Sequence, residues 1–294
     1  MRNIVVRTLT FFVAIPLLVA LILLLPHLNH LALNVLVVIA SGLGARELAT
    51  LLGQRFDGYW ESNAATPFLG ALLPLVQVLV GFGVFHQSAL QITIYAAVAV
   101  ILLLQVFRRQ EEGFRHTLSS AAAGTMLLLY PGLFLSYVSR MTTLSYAGPL
   151  IVTFLCMVFF NDTAAYLSGK FYRSVRERLA ARAGHVWEPR VVLPVSPRKT
   201  LAGFAGGLLL SPLTLIAAHL LIPQALPAGP GELVLIGLMV GAAVIFGDLV
   251  ESALKRSATR KDSGSVIPGR GGMLDSTDSI LYAAPVFYYL VSVL

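Results

Sequence analysis

Apolar stretches of about twenty residues, separated by short polar turns, recur along the whole chain. A helix rises about 1.5 Å per residue, so roughly 20 apolar residues cross the roughly 30 Å hydrocarbon core of a bilayer. Nine stretches have that character: 9–25, 31–52, 67–85, 88–107, 117–139, 146–168, 201–222, 232–250 and 279–294. The expected fold is all-α, a polytopic bundle of about nine transmembrane helices. Composition closes off a soluble alternative, because only 12% of the 294 residues are charged, about half the share of an average soluble domain. Mean hydropathy is +0.81. The first stretch follows Arg2 and Arg7 as a secretory signal would, but no small-residue cleavage site leads into a soluble domain. It is therefore expected to be retained as a helix.

The 21 Lys and Arg orient the bundle, because cytoplasmic loops retain positive charge during insertion. With nine spans and the N-terminus inside, Arg140 alone falls on the outer side. The turns near Pro26, near His86 and from Pro223 to Pro230 carry no Lys or Arg. The expectation is N-in and C-out. A net charge of +7 and a pI near 9.8 then reflect cations beside membrane spans and anionic headgroups, and no nucleic-acid partner is expected. The single cysteine, Cys156, lies in an apolar stretch and excludes both an internal disulfide and a cysteine metal cluster.

Residues 1–145 read as N-terminal transmembrane helices with little chemistry. Arg46-Glu47 is the exception, since a carboxylate near lipid needs a partner or a polar cavity. A local ion pair and a contribution to a site both satisfy that. Residues 146–294 read as a transmembrane catalytic region with two cytoplasmic loops, 169–200 and 251–278. The first holds Lys170, Arg173, Arg176, Arg178, Arg182, Arg190, Arg198 and Lys199. No internal repeat or low-complexity tract occurs.

The chemistry-bearing residues concentrate in these loops. If the eighth span continues as helix, Asp248, Ser252 and Lys255 follow one face at i, i+4 and i+7. Asp275 and Asp278 share a face at the start of the last span, near its positive dipole end. A helix cap explains one such Asp. The pair together with Asp248 suits a magnesium ion, a hard cation that takes carboxylate oxygens and bridges phosphates. Gly269, Gly271 and Gly272 allow a tight turn and close approach to a ligand, although a plain re-entry turn wants them too. Lys255, Arg256, Arg260, Lys261 and Arg270 suit phosphate oxygens, and positive-inside flanking accounts for some of them. Upstream, Asp162 and Tyr166 share a face ahead of Gly169-Lys170. Ser196-Pro197-Arg198-Lys199-Thr200 then leads into a helix start, a plausible anion site. No P-loop, nucleophile elbow or His-Glu-x-x-His motif is present.

The segment Ser252 to Asp278 resembles the C-terminal signature of the phosphatidate cytidylyltransferase (CDP-diacylglycerol synthase) family. Ser252, Lys255, Arg256, Lys261, Asp262 and Gly264 match it at the family's spacing, as do Pro268, Gly269, Gly271, Gly272, Asp275 and Asp278. Asp162-Thr163 with Tyr166, and Ser196 to Thr200, resemble two further family motifs. The motifs cover about residues 160–280. Three positions depart: Ala202 where a Glu is common, Arg270 where the family usually has His, and Ser276 where it usually has Arg. One cation appears as another is lost, an exchange expected within one pocket, which suggests a divergent subgroup.

The resemblance implies transfer of CMP from CTP to phosphatidate, giving CDP-diacylglycerol and pyrophosphate. It implies catalytic roles for Asp248, Lys255, Arg256, Lys261, Asp262, Asp275 and Asp278, with magnesium, and room for a second cation, on Asp248, Asp275 and Asp278. Phosphate would meet Ser196, Arg198, Lys199, Thr200, Arg270, Gly271 and Gly272, supported by Asp162, Tyr166, Lys170 and Ser252. The implied partners are CTP, a lipid phosphate and membrane lipids, with a homodimer compatible. The implied location is a bacterial inner membrane with the site facing the cytoplasm. Two other readings stay open: a secondary transporter, and a CTP-dependent enzyme acting on another lipid. A CDP-alcohol phosphotransferase is less apt, because its Asp-Gly-x-x-Ala-Arg motif is absent.

Overall fold

Prolines and capping side chains set where the apolar runs begin and end. The computed structural model describes residues 2–53, 59–107, 115–186 and 191–294, with side chains from residue 13 onward. Arg190 of the first basic loop lies outside the described residues. Helices α1 (Arg2–Leu24) and α2 (His27–Gly53) are followed by the single turn α3 (Tyr59–Ser62), then by α4 (Thr66–Gly81) and α5 (Ala89–Val106). Next comes one rod in three parts: α6 (Thr117–Leu127), a π-helical turn (Leu128–Leu133) and α7 (Phe134–Met141). The C-terminal half holds α8 (Ala147–Arg182), α9 (Leu201–Leu221), a 3-10 turn (Pro223–Ala225), α10 (Pro230–Ser257) and α11 (Leu274–Ser292).

Pro67 and Pro230 stand in the first turns of α4 and α10, where a missing N–H costs nothing. Thr200 caps α9 by accepting from the Gly203 N–H at 3.1 Å. The Glu232 carboxylate accepts from the Gly229 N–H at 2.8 Å ahead of α10. The π-turn contains Pro131, whose ring interrupts the regular ladder. Its carbonyl lies 2.8 Å from the Ser41 hydroxyl, which also reaches Gly70 O at 2.7 Å. One proton serves two acceptors there and ties α2, α4 and the rod together.

Every apolar run expected from the sequence falls on a helix, and no strand forms among the described residues. The all-α polytopic architecture follows. Among the described residues, six helical rods are long and apolar enough to cross a membrane by length and composition: 27–53, 89–106, 117–141, 147–182, 201–221 and 230–257. Their outward faces carry large apolar side chains, with Leu118 82% and Leu220 75% exposed, as suits helices facing lipid tails.

Contacts sort the turns into two ends. At one end Asn29 Nδ2 donates to Gly81 O at 2.8 Å, Gly81 adjoins Thr143, and Gly148 adjoins His30. At the other, the Trp60 indole donates to Ser120 O at 2.7 Å, and Glu47 in the C-terminal half of α2 meets the loop before α11. The second end gathers the two basic loops. In the C-terminal half, α8, α9 and α10 approach closely through small residues. Asn161 lies between them, donating to Ser211 Oγ at 2.9 Å and to Gly241 O at 3.3 Å. A Cβ on Gly207 would come within 2.6 Å of Asn161 Oδ1, so this helix contact depends on glycine.

Candidate active site

A cavity of about 1010 Å³ is bounded by α8, α9, α10, the first turns of α11 and the loop residues Arg198, Lys199 and Arg270; the segments expected as loops at 169–200 and 251–278 continue as helix to Arg182 and Ser257. Its carboxylates are Asp162, Asp248, Asp275, Asp278 and Glu177, and its cations are Lys170, Arg173, Arg198, Lys199 and Arg270. Helix length explains the convergence. At about 1.5 Å per residue, the 36 residues of α8 outreach a bilayer core of about 30 Å, which leaves length for its C-terminal part to carry Lys170 and Arg173 along the cavity wall. The α10 helix runs on to Ser257 and carries Asp248 to the cavity wall, as the helical spacing predicts.

Asp248 pairs with Lys199 at 2.6 Å and accepts a long hydrogen bond from Ser252 Oγ at 3.4 Å. Asp162 and Asp278 face it as like charges. Lys199 also lies 5.9 Å from the Phe204 ring, and Lys170 lies 6.0 Å from the Tyr166 ring. Asp162, Asp248 and Asp278 all line this one space, with Arg198, Lys199 and Arg270 around them.

Asp275 is engaged differently. Its Oδ2 accepts from Ser263 N at 2.8 Å, Ser263 Oγ at 2.9 Å and Gly272 N at 2.7 Å. Its Oδ1 takes Lys255 Nζ at 2.6 Å. Asp275 lies in the first turn of α11, ahead of the apolar run 279–294. Burial works against its ionisation, but Lys255 and the Gly272 and Ser263 donors outweigh burial and hold the carboxyl below its usual range. Lys255 also pairs with Glu251, a carboxylate buried to 0% exposure that the sequence reading passed over. Its position four residues before Lys255, in the favourable Glu-to-Lys order, was the available signal.

The loop before α11 is fastened a second time from α2. Glu47, 7% exposed, accepts from Met273 N at 2.8 Å and Leu274 N at 2.9 Å, and at 3.0 Å it shares with Asp275 the one proton of the Ser263 hydroxyl. It supplies the cap that α11 lacks locally, meeting N–H groups that a helix start leaves free. Of the partners open to Glu47, those it meets are in the loop before α11 and at its start, and not Arg46. In Glu47→Gln the amide NH₂ must face one of these donors. Thermal unfolding in detergent is expected to show a loss of about 2 kcal/mol; an unchanged Tm would remove Glu47 from this role.

Several expected site residues stand elsewhere. Gly271 and Gly272 do not line the cavity. Their N–H groups donate to Ile267 O at 3.1 Å and to Asp275, so neither N–H faces a phosphate as expected. Their lack of a side chain serves the loop instead: Gly271 has φ +113, and a Cβ there would fall 2.6 Å from Asp275. Ser196, Arg256, Lys261 and Asp262 also lie off the cavity wall, and Ser252 and Lys255 stand behind Asp248 and Asp275. Arg270 lines the cavity, whereas Ser276 turns its hydroxyl to Gly272 O at 3.2 Å. The two departures from the family pattern therefore do not share the cavity.

Magnesium chemistry can be weighed against this donor set. Among the described residues no group of three or more His, Cys, Asp or Glu is gathered as a preformed cluster, and the four donors on Asp275 occupy both of its oxygens. Magnesium needs only one or two protein carboxylates when substrate phosphates and water complete its shell. Asp248 and Asp278, with Asp162 opposite, meet that requirement.

The sequence profile of the Cytidylyltransferase family matches residues 5–294. The chain is 34% identical over 256 residues to the uncharacterized protein YnbB of Escherichia coli (strain K12), covering 85% of this chain and 76% of that protein. To a phosphatidate cytidylyltransferase of Bacillus subtilis (strain 168) it is 33% identical over 210 residues, 70% of this chain and 69% of the relative. The Thermotoga maritima phosphatidate cytidylyltransferase is 32% identical over 232 residues, 77% of this chain and 78% of the relative. With a cavity of matched acids and cations at the ends of apolar helices, and with this match along almost its whole length, the chain belongs to the cytidylyltransferase family.

Proposed function

We propose that this membrane enzyme transfers CMP from CTP to phosphatidate, releasing pyrophosphate and forming CDP-diacylglycerol for phospholipid synthesis. The observation that carries the reading is the cavity in which Asp248, Asp278 and Asp162 meet Lys199, Arg198 and Arg270 at the ends of apolar helices. The relatives named phosphatidate cytidylyltransferase support it. In the reaction an oxygen of the lipid phosphate attacks the α-phosphorus of CTP. The bond from that phosphorus to the bridging oxygen breaks, and pyrophosphate leaves with the electron pair. No covalent side-chain nucleophile is required. Because both reactants are anions, the main task is charge neutralisation in a water-poor site. Arg198, Lys199 and Arg270 would bind phosphate oxygens, and Lys170 and Arg173 would draw the nucleotide to the mouth. Asp248 and Asp278, with Asp162, would hold magnesium, which when bound supplies Lewis-acid neutralisation of the phosphates. Asp275, Lys255 and Glu47 would keep the loop and the start of α11 in register.

The same reading includes nine membrane spans, N-in and C-out, in a bacterial inner membrane with the cavity on the cytoplasmic side, and a homodimer. The concentration of cations at the cavity end supports that orientation. A transporter usually carries its ionisable site near the bilayer midplane, whereas these carboxylates lie toward one end of the bundle. Arg270 in the cavity wall favours one second reading, a different lipid phosphate as acceptor. The test is purified chain with labelled CTP, magnesium and a panel of lipid phosphates in detergent micelles, scored for lipid-extractable label and pyrophosphate. Phosphatidate is expected to give the fastest label incorporation with equimolar pyrophosphate. No product above an Asp248→Asn control sinks the transferase, and faster reaction with another lipid phosphate replaces the acceptor.

A further inference from the structure

A second cavity, of about 390 Å³, opens at the opposite end of the bundle between α5, the π-turn, α7 and α11. Its polar walls come from Arg140, Tyr137, Tyr289, Gln87 and Gln91, and none of its lining residues is acidic. Among the described residues Arg140 is the one Lys or Arg at this end. Insertion disfavours a cation on the side away from the other cations, so its presence there asks for a local reason. Its guanidinium stands 5.1 Å from the Tyr288 ring centroid and 5.8 Å from that of Tyr137, and no carboxylate pairs with it among the described residues. The guanidinium lies over these two rings and turns part of its N–H edge to the Tyr137 hydroxyl; its remaining N–H groups can grip an oxyanion.

The phenols extend the same donor set. Tyr137 and Tyr289 hydroxyls lie 2.8 Å apart; one donates to the other, and the second keeps its proton for an outside acceptor. Leu90, Ile94 and Leu133 form the apolar part of the wall. A guanidinium, a phenol proton and carboxamides beside an apolar wall fit a phosphate that arrives with a hydrocarbon chain. We infer that this cavity seats the phosphate headgroup of an anionic phospholipid, in the leaflet opposite the catalytic cavity. The site stands on the membrane fold alone and holds whether or not the chain transfers CMP to phosphatidate.

The test uses the full chain in phosphatidylcholine nanodiscs with a trace of phosphatidylglycerol carrying a photoreactive headgroup, labelled peptides being mapped by mass spectrometry. Label is expected in peptides containing residues 87–94, 137–140 or 289, competed by unmodified phosphatidylglycerol and not by inorganic phosphate at equal concentration. Arg140→Gln is expected to cut this label about tenfold while label near the catalytic cavity stays. Tyr289→Phe keeps the ring packing and is expected to cut it about threefold. Label that persists in both variants overturns the site, and competition by inorganic phosphate as strong as by lipid overturns the lipid assignment.

Discussion

Asp248→Asn is expected to lower kcat for CMP transfer about 1000-fold and to leave KM for CTP unchanged or lower. The two parts of that result come from two different consequences of removing one charge. Asp248 is paired with Lys199 at 2.6 Å, so the neutral variant releases a cation into the cavity proposed to take the phosphates. If neutralising Lys199 were the only task of Asp248, the variant would bind nucleotide more tightly and turn over normally. Asp248 also faces Asp162 and Asp278, an arrangement that repels itself until a cation bridges it. Losing one of these oxygens weakens the grip on that cation, and the rate falls although nucleotide still binds. Steady-state kinetics over a CTP series, with magnesium varied, separates the two. A wild-type kcat with a lowered KM would reduce Asp248 to a partner for Lys199.

Much of this arrangement was legible in the sequence because bilayer thickness and helical spacing are strong constraints. Runs of apolar residues long enough to cross a bilayer gave the helices, and the i, i+4, i+7 spacing of Asp248, Ser252 and Lys255 placed them on one face of α10. What stayed ambiguous depends on contacts far apart in the chain. Glu47 and Ser263 are separated by 216 positions, so nothing local to Arg46-Glu47 could choose between an ion pair and a site role. The glycines misled for a related reason. Gly271 and Gly272 look like a phosphate cradle because close approach needs glycine, yet the groups approaching them are the chain's own carboxylates, Asp275 and Glu47. Glu251 was overlooked although its spacing to Lys255 was readable.

Asp275→Asn is expected to abolish turnover and also to destabilise the fold by about 3 kcal/mol. A residue that served only as a metal ligand would lose activity without the second effect. The Asp275 side chain is 7% exposed and pairs with Lys255, itself 14% exposed. An Asn there leaves that ammonium buried with Glu251 as its remaining anion. The amide NH₂ must also face Lys255, or else the Ser263 and Gly272 donors that Oδ2 accepts. The pH dependence supplies a signature. The folded carboxyl titrates below its usual range, so its contribution is complete above the unfolded value of about 3.9 and fades only as pH falls below that toward the folded value. The stability deficit of Asp275→Asn should therefore persist down to about pH 4 and close beneath it, because protonating the wild-type carboxyl removes the same ion pair. Thermal unfolding in detergent across that range, alongside the label-transfer assay, reads both quantities. An inactive variant with wild-type stability at neutral pH would return Asp275 to a purely chemical role and leave Lys255 held by Glu251 alone.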